Sequence, residues 1–406
     1  MIKPIKSPLC LLLVSAMLFA GCSSGDSKQD SETTTEAVTE TFTDYPQETM
    51  IPDIPASPDS AIDDSKIKLN TLEIKNNLNE IESTLDNLIS YHGFLGSVYA
   101  KLGNDFEYLH ANGIANKGAH INNSVYTRFY TGSVTKLLTA VAVMKLSEEK
   151  KLSLDSNIDK YFPDCSYGKS VTIKQLLTMT SGIPDYVVSS EIFSSSNVVV
   201  AALSDKVNSG NSFEKNHSAI LGWILSQKLT DSKTKKFSYS DSNYYLLGEI
   251  IAKASGKSYE KYIDDTVFKP LYMTKSGFVS DESTARPYVG NSKSSVLLSH
   301  GAGYSSLGFI SNVSDLLKFI DGLMSYQIIN KDSFKAIITD YGDGYGYGAF
   351  VNGDRVSCIG KTDAFSAKLS FTTDKSQIFV ALTNNSESDP NFIHRLFRNY
   401  LVKFRN

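Results

Sequence analysis

Four strand-like segments follow one another in the last third of this 406-residue chain, and this run constrains the fold most. They are residues 347–351, 355–359, 365–372 and 377–382. Asn352-Gly353 and the tetrapeptide 373–376 supply turns between them, which predicts antiparallel neighbours. Asp389-Pro390 then predicts a final helix from Asn391 to Phe404, with Asp as the N-cap and Pro at the first helical position.

The beginning of the globular region supplies two more strands. Residues 96–102 and 106–113 have strand character, and Gly103-Asn104 predicts the hairpin turn between them. Helical periodicity marks the segments 72–89, 133–149, 172–179 and 243–256. We therefore predict an α+β fold: a central antiparallel sheet made from both chain ends is flanked by helices, and the middle region is largely helical.

The first 22 residues have the features of an export signal. Two lysines precede an apolar run, residues 9–20, that is too short to span a bilayer as a stable helix. The pentapeptide Leu18–Cys22 resembles a bacterial lipobox, in which Cys22 is acylated, although Phe19 stands where an aliphatic residue is usual. The alternative is an ordinary secretory signal cut near Ala20. Both predict export, and the lipobox predicts a lipid anchor in the cell membrane, facing its extracytoplasmic side.

Residues 23–66 are rich in Ser, Thr, Glu, Asp and Pro and poor in large apolar side chains. Such a segment cannot bury enough surface to offset its conformational entropy, so we predict a disordered acidic linker. The chain then divides into a signal peptide (1–22), this linker (23–66) and a globular domain (67–406). A net charge of −4 gives no support for nucleic-acid binding, and we expect no nucleic-acid partner.

Cysteine and histidine usage gives no sign of a metal site. Cys165 and Cys358 lie in the globular domain, where an exported pair could form a disulfide. The six histidines are scattered without the spacing of metal ligands. We expect neither a metal nor another cofactor.

The tetrapeptide Ser133–Lys136 places a hydroxyl and an amine on one face of a helix that the sequence predicts to be amphipathic. A lysine can take the proton of a serine if burial or nearby positive charge favours its neutral form. The helix N-terminus adds backbone N–H groups beside Ser133, which suit a developing oxyanion. From this pattern alone, the alternative is a serine N-cap followed by a solvated lysine.

Several ordered segments together resemble the serine β-lactamase-like proteins, which include class C β-lactamases, penicillin-binding D-Ala-D-Ala carboxypeptidases and related esterases. The resemblance extends from about Gly93 to Leu382. Its segments are Gly132–Ala140, Lys151–Asp155, Tyr161–Asp164, Val171–Pro184, Phe237–Gly248, Gly303–Ser306 and Asp315–Phe319. Within the fourth segment, Met179 occupies a position where the family often has histidine.

Two active-site motifs of this family depart from its usual pattern here. The second motif, Tyr-x-Asn, falls on Tyr239-Ser240-Asp241 and ends in aspartate. The third motif, Lys/His-Thr/Ser-Gly, falls on Cys358-Ile359-Gly360 when Phe365-Ser366 fixes the register, so the cationic or imidazole side chain is missing. Lys361-Thr362-Asp363 offers an alternative, shifted register.

The resemblance implies roles for the matching residues. Ser133 would attack an acyl carbonyl, Lys136 would take its proton and Tyr239 would be a second general base. Because a phenol has a pKa near 10, Tyr239 needs either positive charge that favours the phenolate or a concerted proton transfer. The backbone N–H of Ser133 and one near Lys361 would hold the oxyanion. Lys361 could also offer its side chain as a substitute cation or leave it solvated.

We expect Asp241, Cys358, Gly360 and Lys361 to line the substrate site. An ionised Asp241 beside Lys136 would stabilise the ammonium form and oppose base action, unless Asp241 is neutral or turned away. Cys358 stands where the family has a group that binds a substrate carboxylate. The sequence therefore predicts weak recognition of penicillins and of D-Ala-D-Ala ends, and better recognition of an uncharged ester or amide.

Two hypotheses follow for the function. The first is an extracytoplasmic serine hydrolase that forms an acyl-enzyme on Ser133 and acts on an ester, an amide or a D-amino peptide, with peptidoglycan-derived peptides among the candidates. The second is a binding protein that keeps the fold and holds a cell-wall peptide or a partner without turnover. Cys358 and Asp241 motivate the second hypothesis.

Overall fold

A computed structural model describes most of the globular domain. The described residues are 78–104, 106–187, 212–230, 235–293, 300–362 and 364–401. The predicted signal peptide, its anchor Cys22 and the linker 23–66 lie outside these residues, so their assignment stays a prediction.

A six-stranded antiparallel sheet forms the centre of the fold. Its strands are β1 (Gly96–Leu102), β2 (Phe106–Asn112), β9 (Phe350–Asn352), β10 (Arg355–Thr362), β11 (Phe365–Thr372) and β12 (Gln377–Thr383). Their order across the sheet is β2-β1-β12-β11-β10-β9. Because β1 pairs with β12 along its length, both ends of the domain contribute to one sheet. The predicted α+β fold with a central antiparallel sheet is confirmed.

Three short strand pairs lie outside this sheet. They are β3 (Ile114–Asn116) with β4 (Ile121–Asn122), β5 (Phe129–Tyr130) with β8 (Ile310–Ser311), and β6 (Tyr288–Val289) with β7 (Ser292–Lys293). The pair β5–β8 ties the chain just before Ser133 to the chain just after Ser306. It therefore joins two segments that reach the candidate site.

Helices occupy the two faces of the sheet and the middle of the chain. They are α1 (Leu78–Tyr91), α2 (Thr135–Glu148), α3 (Ile173–Leu177), α4 (Ser212–Ser226), α5 (Asp241–Ser255), α6 (Tyr259–Ile263), α7 (His300–Leu307), α8 (Val313–Met324), α9 (Lys331–Ile337) and α10 (Pro390–Leu401). In the described part of the chain, no helix combines the length and apolar character needed to cross a membrane.

Two separate apolar clusters hold these layers together. On one face of the sheet, α1 and α10 pack through residues such as Ile81, Leu85 and Phe397 against side chains of β1 and β12. The larger cluster lies on the other face and joins the sheet to the helices of the middle region. The burial of these apolar surfaces is the main favourable contribution to folding.

Helix α2 differs from the amphipathic helix that the sequence predicts. Eleven of its fourteen residues are buried, because it lies inside the larger cluster with α5, α7 and α9 packed around it. Its beginning also differs, since Gly132–Val134 forms a 3₁₀ turn and the α-helix begins only at Thr135. Ser133 therefore stands on a tight turn just before a buried helix.

The first predicted strand of the C-terminal run is shorter than expected, because β9 begins only at Phe350. Gly348, with a φ of 79°, lies so close to the backbone of Lys136 that any side chain there would collide with it. The segment before β9 therefore packs on α2 and does not extend the strand. Strand β10 is longer than predicted and continues to Thr362.

Gly248 provides a test of how tightly α5 and α7 pack. A methyl group at this position would collide with the Ser305 hydroxyl and lie 2.7 Å from the Tyr304 ring. We expect Gly248→Ala to lower the free energy of unfolding by about 1–3 kcal/mol, as measured by urea denaturation.

Gly222, in the exposed middle of α4, is the matched control because a methyl group there has nothing within 4 Å. Alanine has a higher helix propensity, so Gly222→Ala should raise the free energy of unfolding by about 0.5–1 kcal/mol. Equal effects of the two substitutions would contradict the close packing of α5 on α7.

Candidate active site

Ser133 lies on the turn between β5 and α2. Gly132 adopts a φ of 54°, which glycine permits without strain, and this turn leads the chain from the sheet region into the helix. Ser133 is partly exposed, whereas its neighbours Gly132 and Val134 are buried. The hydroxyl therefore remains accessible on a turn whose neighbouring residues are buried.

Lys136 is buried and directs its amine at three oxygen atoms. Its Nζ atom lies 2.8 Å from Ser133 Oγ, 2.5 Å from Asp241 Oδ1 and 3.2 Å from the carbonyl oxygen of Ser306. Three acceptors match the three donors of an ammonium group. Asp241 is therefore not turned away, and the alternative of a solvated lysine is wrong.

Tyr239 completes the group around the nucleophile. Its hydroxyl donates to Ser133 Oγ at 3.0 Å, and Lys136 Nζ lies 5.0 Å from the centre of its ring. Burial raises the pKa of Tyr239 well above its usual value, and the negative charge of Asp241 acts in the same direction. This opposes the phenolate alternative, so Tyr239 serves as a neutral donor unless proton transfer is concerted.

Strand β10 runs directly against the Ser133 turn. A side chain at Gly360 would collide with the carbonyl oxygen of Thr131 and lie 3.0 Å from the Ser133 nitrogen. A side chain at Gly132 would lie 2.6 Å from the Lys361 nitrogen. The close approach needs glycine at 360, which supports the register Cys358-Ile359-Gly360 and opposes the shifted one. It also gathers the backbone nitrogens of Ser133 and Lys361 in one place, as an oxyanion hole requires.

Neither Lys361 nor Cys358 on this strand replaces the missing cation. The Lys361 side chain is exposed and, by the alternation of a strand, lies on the face opposite to Gly360. Cys358 is buried, and its Sγ atom lies 3.7 Å from the carbonyl oxygen of Gly348. Burial raises the pKa of the Cys358 thiol to about 12, so the thiol stays neutral.

The two cysteines of the globular domain are separate. Cys165 and Cys358 are both buried free thiols, so the disulfide considered from the sequence is wrong. Both cysteines belong to the larger apolar cluster. Within the described ranges, no group of three or more His, Cys, Asp or Glu side chains could hold a metal ion.

Asp185 is an acidic residue of the site that the sequence reasoning missed. It directly follows the matched segment Val171–Pro184, is half-buried and accepts the backbone N–H of Val187 at 3.0 Å. Burial raises the pKa of Asp185 above its usual range, and the nearby charge of Asp241 adds to this. The signal in the sequence that could have indicated Asp185 was its position as a polar residue at the end of a matched segment.

Helix α7 supplies a further contact that the sequence did not reveal. Tyr304 has a strained backbone (φ 36°, ψ −131°) that kinks the helix. Its ring lies 4.6 Å from that of His217, and its hydroxyl donates to Glu249 at 3.0 Å. These contacts hold the kink, after which the carbonyl oxygen of Ser306 faces Lys136.

The buried Lys136–Asp241 pair makes a prediction for stability. Lys136→Met should lower the free energy of unfolding by about 3–5 kcal/mol, because it leaves the Asp241 carboxylate buried without its cation. The double variant Lys136→Met/Asp241→Asn removes both charges and should recover most of this loss in chemical denaturation at neutral pH. A double variant as unstable as the single one would contradict this account.

Comparison with known proteins identifies the family of this chain. Residues 82–402 match the protein family described as Beta-lactamase. PbpX of Bacillus subtilis (strain 168), which is named for penicillin binding, is 26% identical over 320 residues that cover 74% of this chain and 73% of PbpX. Protein flp of Staphylococcus aureus (strain N315) is 28% identical over 304 residues, covering 68% of this chain and 57% of flp. The chain thus spans little more than half of flp.

Solved structures show the same fold. A penicillin binding protein from Bacillus halodurans superimposes with a TM-score of 0.67 at 24% identity, covering 78% of this chain and 98% of that protein. The D-amino acid amidase from Ochrobactrum anthropi SV3 gives a TM-score of 0.66 at 19% identity, covering 82% and 100%. The chain belongs to the Beta-lactamase family, the serine hydrolase family that includes penicillin-binding protein homologues.

Proposed function

We propose that this protein is a serine hydrolase that forms an acyl-enzyme on Ser133. The observation that carries the proposal is the convergence on Ser133 Oγ of Lys136 Nζ at 2.8 Å and the Tyr239 hydroxyl at 3.0 Å. The close approach of β10 adds the backbone nitrogens of Ser133 and Lys361. A nucleophile, a proton path and oxyanion donors are the components that acyl transfer requires.

The reaction follows from these positions. Ser133 Oγ attacks the acyl carbonyl, its proton passes to Lys136, and the backbone N–H groups of Ser133 and Lys361 stabilise the oxyanion. Tyr239 keeps its proton in the resting site, so it can donate that proton to the leaving group when the tetrahedral intermediate collapses. Water then attacks the acyl-enzyme, and the same groups return the protons in reverse.

The substrate we propose is an ester, an amide or a D-amino peptide without a carboxylate on its leaving group. Cys358 is neutral and Ile359 is aliphatic, so the third motif offers a substrate carboxylate neither charge nor hydroxyl. Asp241 lies 2.5 Å from Lys136 Nζ and neutralises the amine beside Ser133, which leaves that amine little attraction for an anion. A penicillin or a D-Ala-D-Ala end, which carries a carboxylate, is therefore a poor substrate in this proposal.

We further propose that the protein acts outside the cytoplasm, tethered by a lipid on Cys22. The lipobox-like pentapeptide Leu18–Cys22 and the acidic linker 23–66 support this location. A tether of this length and composition would let the domain stand clear of the membrane surface. Metabolic labelling with a radioactive fatty acid tests the anchor, since Cys22→Ala should abolish incorporation.

A binding protein without turnover is the second candidate. The 2.5 Å pair of Lys136 with Asp241 favours it, because the pair stabilises the ammonium form of the presumed base. On this view the cleft holds a cell-wall peptide or a partner. Turnover of any ester or amide that is lost in Ser133→Ala would exclude it.

Covalent labelling tests the nucleophile directly. We expect a fluorophosphonate to add one adduct to the wild-type protein in intact-mass analysis and none to Ser133→Ala. Ser386→Ala, at an exposed serine, is the matched control and should label fully. An adduct that survives in Ser133→Ala would place the reactive serine elsewhere.

Substrate charge supplies a second prediction. For two matched nitrophenyl esters, one with a carboxylate on the leaving group, the wild type should hydrolyse the neutral ester with the higher kcat/KM. Cys358→Lys restores a cation and should shift the ratio toward the charged ester by about 10-fold, the effect of one moderately screened ion pair. Cys358→Ser should leave the ratio unchanged. An unchanged ratio in Cys358→Lys would show that position 358 does not meet the leaving group.

A further inference from the structure

The contacts of Lys136 leave one step of the proposed reaction unexplained. Its amine donates to all three of its oxygen partners, as an ammonium group does. An ammonium cannot accept the proton of Ser133 until it has lost one of its own. Of the three partners, Asp241 is the one whose oxygen carries a negative charge, so it is the natural receiver of that proton.

Asp185 is held next to Asp241 by the way two segments are joined. Residues 184–187 lie against the first turn of α5: the Tyr186 N–H donates to Ser242 Oγ at 3.0 Å, and Ser242 Oγ donates to the Pro184 carbonyl at 2.7 Å. Asp185 lies between these two anchored residues, and its carboxyl is close enough to Asp241 for the two charges to interact. The N-cap residue of α5, Ser240, makes no side-chain cap.

We propose that Asp185 is a positioning residue for the activation of Ser133, whose negative charge holds on Asp241 the proton that Lys136 gives up. The proposal rests on the acyl-enzyme function above and adds a second carboxylate to its proton path. Asp185 itself does not touch the reacting atoms. It acts through Asp241, because a like charge nearby favours the protonated form of a carboxyl group.

Every proton that moves in this step is returned to its donor or delivered to the leaving group. The Lys136 ammonium transfers one proton to Asp241 Oδ1 and becomes a neutral amine. The amine lone pair accepts the Ser133 hydroxyl proton while Oγ forms a bond to the substrate carbonyl carbon, and the π electron pair moves to the carbonyl oxygen. When the tetrahedral intermediate collapses, the carbonyl π bond re-forms and the bond from the carbonyl carbon to the leaving group breaks, with its electron pair on the leaving group, which Tyr239 protonates. Lys136 then restores the Tyr239 proton and recovers its own from Asp241.

The sign of the pH dependence follows from the groups that face Asp185. These are Asp241, Lys136 and the phenols of Tyr239 and Tyr186. Burial first, and then Asp241, raise the pKa of Asp185 above its usual range. At a pH below that raised pKa, Asp185 is neutral and does not favour the protonated form of Asp241. As the pH rises through the pKa of Asp185, its negative charge appears and the acylation rate should increase.

The test is the rate of fluorophosphonate labelling of the full chain between about pH 5 and about pH 10. The wild type should show a rise governed by a group with a pKa above that of an ordinary carboxyl. Asp185→Asn should lose this rise and react about 10-fold more slowly at the alkaline end. Asp185→Glu keeps the charge and should keep the rise. Asp332→Asn, at an exposed position in α9, is the matched control and should follow the wild type.

A double-mutant cycle separates this role from a structural one. In an Asp241→Asn background the proton receiver is gone, and the Asp185 charge can only stabilise the Lys136 ammonium. Asp185→Asn should therefore cause no loss of rate there, whereas it slows the reaction when Asp241 is present. An equal loss in both backgrounds, or an unchanged pH profile in Asp185→Asn, overturns the proposal.

The outcome also distinguishes this inference from the proposed function. If the wild type forms no adduct on Ser133 at any pH, the acyl-enzyme proposal itself fails. If it forms the adduct with a profile that does not respond to Asp185, only the present inference fails. Should Asp185→Asn not fold, Asp185→Glu decides, because a profile without the rise in that variant counts against the role of the charge.

Discussion

The buried contact between Lys136 and Asp241 is the interaction on which the site depends. It joins the nucleophile helix α2 to the first turn of α5, which are far apart in the chain. Both side chains are almost completely buried, so neither charge can be satisfied by water and each requires the other. The same contact that fixes the geometry of Ser133 also determines how its proton can leave. One pair of charges therefore determines both the geometry of the site and the route by which a proton can leave Ser133.

Close backbone approaches put the remaining parts around this pair. Gly360 lets β10 touch the Ser133 turn, and Gly348 lets the chain before β9 pack on the backbone of Lys136. The kink at Tyr304 turns the Ser306 carbonyl toward the same amine. Sheet, helix and connecting segments thus each contribute one contact, and the site forms only when all of them are assembled.

Some of this could be predicted from sequence because the signals are local. Strand β11 begins and ends as predicted, since its alternation and its flanking turns lie within the segment itself. Ser133, Lys136 and Tyr239, whose side chains meet in the structure, could be singled out because their motifs are short and ordered. The predicted beginning of β9 was wrong because Gly348 packs against the backbone of a helix that is distant in the sequence.

Other parts of the site depend on contacts that no local pattern records. Asp185 becomes a candidate site residue only through its proximity to Asp241. The prediction that α2 is amphipathic was wrong because helices of the middle region surround this helix. The disulfide between Cys165 and Cys358 was an inference from compartment alone, and folding keeps the two thiols apart. For α2, tertiary packing overrides the local pattern.

The burial of α2 on all sides has a consequence for how the protein loses its chemistry when heated. Partial opening of a domain usually begins at termini, loops and exposed elements, which carry few apolar contacts. The helix that follows Ser133 belongs instead to the last part to come apart. The Ser133 hydroxyl should therefore keep its surroundings while peripheral elements open, and lose them only when the core unfolds cooperatively. Thermal inactivation and thermal unfolding should then have the same temperature dependence.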